Sequence, residues 1–206
     1  MHYAPGAMDL LVLGANVACW GAIVVVWVTA YLHETGSRPP IRVRGSTEPG
    51  TVVLALVAIA AIVLVGRSIF AALTVEAAWA RLIGAGVLVG STLFAVWARL
   101  TLGPSWSVGP EAATERGLRT NGPYAITRHP IYTGLLGMLL GSALLGGLGQ
   151  WIVLVAAGLV VAELKIRSEE RLLLATFPDA YLAYRERVPQ LIPIWRSPSA
   201  GRRRPQ

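Results

Sequence analysis

The chain has 206 residues, of which 54% are hydrophobic, and its mean hydropathy of +0.58 is high for a water-soluble domain. The net charge is +7, but the basic residues lie between the apolar runs, as in membrane proteins with basic cytoplasmic loops, so the charge does not indicate a nucleic-acid partner. The single cysteine excludes an internal disulfide, and the three widely spaced histidines form no local metal-binding motif.

The apolar residues fall in runs of about twenty, the length that an α-helix needs to cross a bilayer. We therefore predict an all-α integral membrane protein, with one membrane domain over residues 1–206 and about five transmembrane helices. The first run has no basic residue before it and is too long for the apolar part of a signal peptide, so we expect it to remain as an anchor. The predicted spans are 8–32, 51–73, 79–102, 131–148 and 150–162.

Helices one to three occupy residues 8–102 and carry few polar side chains. Arg67 lies near the end of the second span, where a long basic side chain can extend to the membrane surface. The third span contains GAGVLVG at 84–90, which resembles a glycine-rich nucleotide loop. No strand precedes it, and Gly86 and Gly90 at four-residue spacing favour helix packing instead.

Helices four and five are expected to form an antiparallel hairpin. Gly134, Gly137 and Gly141 lie on one thin face of helix four, which a neighbouring helix could approach closely. Glycines at 146, 147 and 149 then mark a tight reversal. Helix five is apolar as far as Ala162 and should continue as a polar helix to about residue 175, followed by a short helix over 179–187.

The basic residues also predict the orientation. Three lie in the loop after helix one, four between Arg99 and Arg128, and nine from Lys165 onward, which makes sixteen of the eighteen. With five crossings, these sixteen fall on one side of the membrane. The positive-inside rule makes that side cytoplasmic. The expected location is a plasma or inner membrane, and the tail at 196–206 is expected to be disordered.

Two polar segments stand out, the first at residues 121–134 (NGPYAITRHPIYTG) and the second at residues 163–171 (ELKIRSEER). The predicted hairpin brings the start of helix four beside the polar end of helix five. Arg128, His129 and Tyr132 can then face Arg167 and the pair Glu169-Glu170. We therefore expect residues 103–195 to form a cytoplasmic helical pocket for a polar cofactor, open sideways to lipid.

The second polar segment also has a plainer interpretation. Glu163, Arg167 and Glu170 lie at i, i+4 and i+7 and share one helix face, so they could form intrahelical ion pairs on a solvated surface. On that interpretation the protein is a non-enzymatic membrane scaffold. A membrane reductase that uses NADPH is a further alternative.

Taken together, GPYAITRHPIYTG and RSEERLLLATFPDAYLAYRERVPQLIPIW resemble the isoprenylcysteine carboxyl methyltransferase family and the related phospholipid N-methyltransferases. The upstream sequence LGPSWSVGP at 102–110 resembles the same family. The resemblance covers about half of the chain, from Leu102 to Trp195. It implies a membrane methyltransferase that uses S-adenosylmethionine, with no metal.

The resemblance also implies roles for individual residues. Arg167 would position an anionic acceptor near the transferred methyl group. An amine acceptor would have to lose a proton first, and Glu170 or His129 could then serve as the base. Glu169 or Glu170 would hold the amino or ribose groups of the cofactor. The implied cofactor-binding residues are Tyr124, Arg128, His129, Pro130, Tyr132, Glu169, Glu170, Leu191 and Pro193.

The implied reaction is carboxyl O-methylation of an isoprenylcysteine-like or other lipophilic acid that enters from the membrane. Eukaryotic members carry a longer acidic run where this chain has Glu169-Glu170 followed by Arg171. A small isoprenoid acid is therefore as good a candidate as a prenylated protein. N-methylation of a phospholipid ethanolamine amine is the alternative reaction, and membrane lipids are expected neighbours in either case.

Overall fold

The computed structural model of the chain describes residues 7–35, 73–75, 77–103 and 117–191. Within these ranges the chain is helical, and the only strand-like pairing is an isolated bridge between Thr74 and Leu148. The helices are α1 (Ala7–Thr35), α2 (Ala78–Leu102), α3 (Pro130–Leu145), α4 (Trp151–Thr176) and α5 (Pro178–Arg187), and a 3-10 helix, Gly122–Ala125, precedes α3. The all-α prediction is thus confirmed for this part of the chain.

Two of these helices are long and apolar enough to cross a membrane, over Met8–Ala30 and Ala78–Leu102. Helix α3 has 16 residues and is about 24 Å long, which is less than the roughly 30 Å of a bilayer core. Helix α4 has an apolar first half and a charged second half in one continuous helix, as predicted. Five crossings remain a prediction. The second predicted span lies outside the described residues apart from Leu73, and so do Arg67 and the tail at 196–206.

The glycines of α3 allow it to lie directly against α2. A Cβ atom added at Gly141 would lie 2.5 Å from the Leu88 backbone nitrogen and 2.9 Å from the Gly84 carbonyl oxygen. One added at Gly134 would lie 2.6 Å from the Ala95 Cβ atom. The thin face predicted for helix four is therefore present, and it packs against the small residues of α2.

The glycines of α2 differ in their contacts with α3. An added Cβ at Gly84 would lie 2.8 Å from the Leu145 backbone nitrogen, whereas one at Gly86 or Gly90 would meet no described residue within 4 Å. Gly84 is thus the glycine of α2 that permits close packing against α3. Four-residue spacing alone does not show which face of a helix meets a given neighbour, and packing of Gly86 and Gly90 against another helix stays a prediction.

A tight turn joins α3 to α4 and makes the two helices antiparallel. Gly147, Leu148 and Gly149 all have positive φ, at 82°, 60° and 48°. The turn is held by the segment 73–75, because the Val75 N–H donates to the Gly147 carbonyl at 2.9 Å and the Gly149 N–H donates to the Leu73 carbonyl at 3.3 Å. The reversal returns the chain to the level at which α3 begins.

Helix α1 closes one side of the α2–α3 pair. Ile23 joins a buried cluster with Leu88, Ala95, Met138 and Leu145, and Trp20 and Trp27 pack against that cluster. The Trp20 indole N–H also donates to the Ser142 hydroxyl at 3.2 Å. The outward faces of α1 and α2 remain apolar and exposed, as expected for surfaces that face lipid.

The α2–α3 contact gives a first prediction. Gly141→Ala should lower the stability of the protein by about 1–3 kcal/mol or more, because the new methyl group meets backbone atoms that cannot move aside. Gly86→Ala is the matched control, since its methyl group would meet no described residue and alanine favours a helix by about 1 kcal/mol over glycine. The measurement is the thermal unfolding midpoint in detergent. Equal midpoints for the two variants would contradict this packing.

Candidate active site

The two polar segments meet through an ion-pair network centred on Glu170. The Arg128 guanidinium donates to the Glu170 Oε1 atom from Nε at 3.1 Å and from Nη2 at 2.9 Å. The His129 Nε2 atom lies 3.3 Å from the same oxygen. The side chains of Arg128, His129 and Glu170 are only 7%, 5% and 13% exposed. Their mutual attraction and hydrogen bonds therefore offset the free-energy cost of removing these groups from water.

The network keeps Glu170 ionised. Burial alone raises the pKa of its carboxyl group, but the hydrogen bonds and the charge of Arg128 outweigh burial and bring the pKa below its ordinary value of 4.5. Tyr181 lies beside Glu170 and is fully buried, yet its hydroxyl makes no hydrogen bond of good geometry to a described residue. We therefore assign the lowered pKa to Arg128 and His129 rather than to Tyr181.

The neighbouring carboxylate, Glu169, has a different environment. It accepts a hydrogen bond from the Tyr132 hydroxyl, and its Oε2 atom lies 3.6 Å from the His129 Nδ1 atom. Its side chain is 48% exposed and lines a cavity. Two consecutive glutamates therefore differ: Glu170 points into the network, and Glu169 is available to a ligand.

The C-terminal segment 188–191 is clamped to the start of α3 through its carbonyl groups. Four successive carbonyls accept hydrogen bonds from residues of the first polar segment. The donors are Arg128 Nη1 to Val188 (2.7 Å), Arg128 N–H to Pro189 (2.8 Å), Thr127 hydroxyl to Gln190 (2.7 Å), His129 N–H to Gln190 (3.2 Å) and Thr133 hydroxyl to Leu191 (2.8 Å). This carbonyl clamp fixes the first polar segment against the segment that follows α5.

A second link joins α5 to the 3-10 helix. The Tyr184 hydroxyl, which is buried, donates to the Tyr124 carbonyl at 2.6 Å. Burial raises the pKa of both Tyr124 and Tyr184 well above the usual tyrosine range, so both hydroxyls stay protonated at neutral pH. Tyr184 thereby positions the Tyr124 backbone at the cavity wall.

The cavity bounded by these elements has a volume of about 300 Å³. Its described lining combines polar and aromatic side chains with apolar ones, and the apolar side chains include residues of α1, α2 and α4. The polar lining comprises Arg119, Tyr124, Arg128, His129, Tyr132, Glu169 and Tyr184. The rest of the lining comprises Trp27, Leu102, Gly117, Leu118, Pro130, Ile131, Leu135, Leu173 and Phe177.

The structure brings most of the predicted site residues together, but it separates others from the cavity. Tyr124, Arg128, His129, Pro130, Tyr132 and Glu169 line it. Glu170 lies behind this lining, and Leu191 contributes its carbonyl to the clamp. Arg167 is 67% exposed, pairs with Glu163 at 2.7 Å and is not part of the lining. Pro193 lies outside the described residues.

Sequence reasoning missed Trp27, Arg119 and Tyr184 as cavity residues, and Thr127 and Thr133 as clamp donors. Trp27 belongs to the first helix, far from either polar segment in sequence, and no local pattern marks it. The two threonines lie inside the first polar segment and could have been found there, because their hydroxyls can satisfy carbonyls of an irregular segment. Tyr184 follows Tyr181 at helical spacing, which indicates a shared buried face.

Comparison with known proteins identifies relatives of this region. Residues 79–180 match the family model described as phospholipid methyltransferase. Over 80 residues, 37% of the chain, the sequence is 38% identical to a protein-S-isoprenylcysteine O-methyltransferase of Schizosaccharomyces pombe. Over 77 residues it is 38% identical to the cobalt-zinc-cadmium resistance protein CzcN of Cupriavidus metallidurans. The matched regions cover 33% and 35% of these two relatives.

The fold is similar to that of a solved structure. The structure of the eukaryotic intramembrane Ras methyltransferase ICMT (isoprenylcysteine carboxyl methyltransferase) superposes with a TM-score of 0.59 at 23% sequence identity, over 87% of this chain and 68% of that one. The resemblance predicted from the two motifs is therefore confirmed. Within the described residues, no group of three or more histidine, cysteine or acidic side chains is arranged to hold a metal ion.

The buried network predicts that lysine cannot replace Arg128. Arg128→Lys keeps the charge but loses the planar set of donors that serves Glu170, Arg185 and Val188, and should cost about 3 kcal/mol of stability. Arg185→Lys is the control, because the Arg185 side chain is exposed and only its backbone carbonyl takes part. Thermal unfolding in detergent measures both. A wild-type midpoint for Arg128→Lys would contradict the network.

The lowered pKa of Glu170 predicts a dependence of stability on pH. The unfolded chain binds a proton at Glu170 more readily than the folded one, so this stabilisation is full above about pH 4.5 and is lost as the pH falls through the lower pKa of the folded state. Glu170→Gln should flatten this part of the stability curve, whereas Glu186→Gln, at an exposed position of α5, should leave it unchanged. Unfolding midpoints between pH 3 and pH 7 provide the test. Parallel curves for wild type and Glu170→Gln would refute the assignment.

Proposed function

We propose that this chain is a member of the isoprenylcysteine carboxyl methyltransferase family and catalyses the S-adenosylmethionine-dependent methylation of a carboxylate on a lipophilic, isoprenylcysteine-like acid. The observation that carries the proposal is the cavity, whose lining combines a half-exposed glutamate and several aromatic side chains with apolar side chains. Such a lining suits a polar cationic methyl donor together with a lipophilic acceptor.

The residues present fit the donor. When bound, S-adenosylmethionine supplies a methyl group on a positively charged sulfur. Glu169 offers a carboxylate to a cation or an amino group, and Tyr124 and Tyr132 offer aromatic surface, which also favours a cation. The volume of about 300 Å³ lies at the lower end of the range for small-molecule pockets.

The remaining lining fits the acceptor. Trp27, Leu102, Leu135 and Phe177 give an apolar surface for a hydrocarbon tail. A carboxylate is already deprotonated at neutral pH and needs no general base, so the main task of these residues is to align the two reactants. This agrees with a site in which Glu170 is committed to a structural network.

We propose distinct roles for the two residues that the resemblance implies are catalytic. Glu170 holds Arg128 and His129 in place and thus acts as a positioning residue. Arg167 would reach an acceptor only if its ion pair with Glu163 opened. Leu191 and Pro193, which the resemblance implies as cofactor-binding residues, are proposed to lie near the adenine of the cofactor.

The second candidate is N-methylation of a phospholipid amine, which the match to the phospholipid methyltransferase model favours. An ammonium group must lose its proton before it can accept a methyl group, so this reaction needs a base. His129 is the imidazole at the cavity wall and lies within 3.6 Å of both glutamates. For either reaction we propose a plasma or inner membrane location with the cavity on the cytoplasmic face.

The test is the binding of S-adenosylhomocysteine to detergent-purified protein, measured by calorimetry. Wild-type protein should bind, and Glu169→Gln should weaken binding by about tenfold, the effect of removing a hydrogen bond to a charged group. Its unfolding midpoint should stay near that of wild type, because the Glu169 side chain is 48% exposed.

Glu186→Gln is the matched control, because it also removes one exposed carboxylate but lies on α5 outside the cavity lining. It should bind as wild type does. Absence of binding by folded wild-type protein would refute the methyltransferase proposal and favour the scaffold. Stabilisation by NADPH in its place would favour a reductase.

A further inference from the structure

Arg119 lines the cavity from the short segment before the 3-10 helix. It is exposed, yet it belongs to the cavity lining together with Gly117 and Leu118. Gly117 and Gly122 flank it with φ values of 71° and 59°, and an added Cβ at Gly122 would lie 3.3 Å from the Thr101 Cγ2 atom. The segment is therefore packed on the end of α2, which fixes the backbone from which Arg119 projects.

The described residues of the lining include two arginines, and they differ in how far their donors are used. Arg128 donates to Glu170, to the Arg185 carbonyl and to the Val188 carbonyl, and is nearly buried. Arg119 makes no hydrogen bond or ion pair with any residue that the structure describes. Of these two guanidinium groups, that of Arg119 is thus the one that a ligand can engage without displacing a described partner.

Arg167, the other candidate for an anion, is less well placed. Its Nε atom donates to the Glu163 Oε1 atom at 2.7 Å, and the Glu163 Oε2 atom accepts from the Gln190 side chain at 3.0 Å. Glu163 is therefore held between Arg167 and the C-terminal segment. An anion bound by Arg167 would compete with this carboxylate, and Arg167 does not line the cavity.

We propose that Arg119 binds the anionic group of the methyl acceptor and so determines which acceptors the protein methylates; this rests on the proposed function. The planar guanidinium pairs with a carboxylate or a phosphate through two parallel hydrogen bonds. Leu118 and Leu102 lie in the same lining and provide apolar surface beside the cation. An acid with a hydrocarbon tail, or a phospholipid, meets both requirements.

The proposal assigns Arg119 to recognition and positioning. Methyl transfer neutralises the carboxylate as the ester forms, so Arg119 would stabilise the bound acid at least as strongly as the transition state. Removal of the guanidinium should therefore weaken acceptor binding more than it slows the bound reaction. The donor should be unaffected, since Glu169 and the tyrosines face it. A purely structural role for Arg119 would change donor binding and stability as well.

The experiment compares an S-prenylcysteine acid with its uncharged carboxamide, by calorimetric binding to wild type, Arg119→Gln, Arg119→Lys, Arg167→Gln and the control Arg187→Gln. Arg187 is exposed on α5 and is not part of the lining. We expect Arg119→Gln to weaken binding of the acid by roughly 10- to 100-fold and to leave binding of the carboxamide unchanged. The KM for the acid should rise by a similar factor in Arg119→Gln. Arg119→Lys should bind the acid more tightly than Arg119→Gln but less tightly than wild type. Arg187→Gln should bind it as wild type does.

A parallel arm with phosphatidylethanolamine identifies the source of the anion. If Arg119→Gln weakens only this lipid, the anion is a phosphate, and the proposal holds in that form. Equal effects on acid and carboxamide, or a charge-dependent loss in Arg167→Gln but none in Arg119→Gln, would overturn it.

Binding of S-adenosylhomocysteine distinguishes a failure of the role proposed for Arg119 from a failure of the proposed function. It should be the same in wild type and Arg119→Gln. If wild type binds S-adenosylhomocysteine while Arg119→Gln retains full preference for the acid, only the role of Arg119 is refuted. If folded wild type binds no S-adenosylhomocysteine, the proposed function itself fails.

Discussion

The guanidinium of Arg128 is the group on which the site depends. It joins three parts of the chain that are far apart in sequence: the start of α3, the charged half of α4 through Glu170, and the end of α5 through the carbonyls of Arg185 and Val188. Each partner is a polar group that is costly to bury alone. Once Arg128 is in place, the backbone N–H groups of residues 128 and 129 reach the carbonyls of Pro189 and Gln190, and the carbonyl clamp closes. Proline at 189 costs nothing here, because the clamp uses only its carbonyl.

This arrangement explains how two adjacent glutamates acquire different tasks. Successive residues of an α-helix point about 100° apart, so Glu169 and Glu170 cannot face the same surroundings. Glu170 faces the buried arginine and histidine and remains ionised as a counter-charge. Glu169 faces the cavity, where the Tyr132 hydroxyl orients one of its oxygens. The imidazole of His129 lies within 3.6 Å of both carboxylates. It therefore links Glu169, which a ligand can contact, to the buried Glu170.

Much of this site could be predicted from local sequence. The glycine-rich turn predicted an antiparallel hairpin, and the hairpin requires that residues 128–132 meet residues 169–170. Helix faces were harder to assign. Gly84 rather than Gly86 or Gly90 meets α3, because the direction of a neighbouring helix is a tertiary property that spacing does not encode. Tertiary packing also decides the position of Arg167. It lies about one helical turn before Glu170, so helical spacing places the two residues on one face. In the structure, however, the Arg167 side chain is exposed, pairs with Glu163 and is not part of the cavity lining. Trp27 lines the cavity because α1 packs against α2 and α3, and no sequence motif predicts this contact.

The exposed tryptophans of α2 bear on how the cavity would lie relative to a membrane. Trp79 and Trp97 are exposed on α2 and lie eighteen residues apart, or about 27 Å along the helix, close to the thickness of a bilayer core. Tryptophan favours the two interfaces of a membrane, so we expect these residues to mark them. The 3-10 helix packs beside Trp97 and Thr101 through Gly122, so we expect the cavity, whose lining includes Tyr124 of the 3-10 helix, to lie at the Trp97 interface. We propose that a charged donor reaches such a site from water while an acceptor with an apolar tail reaches it from the membrane, so that neither needs to cross the other's medium.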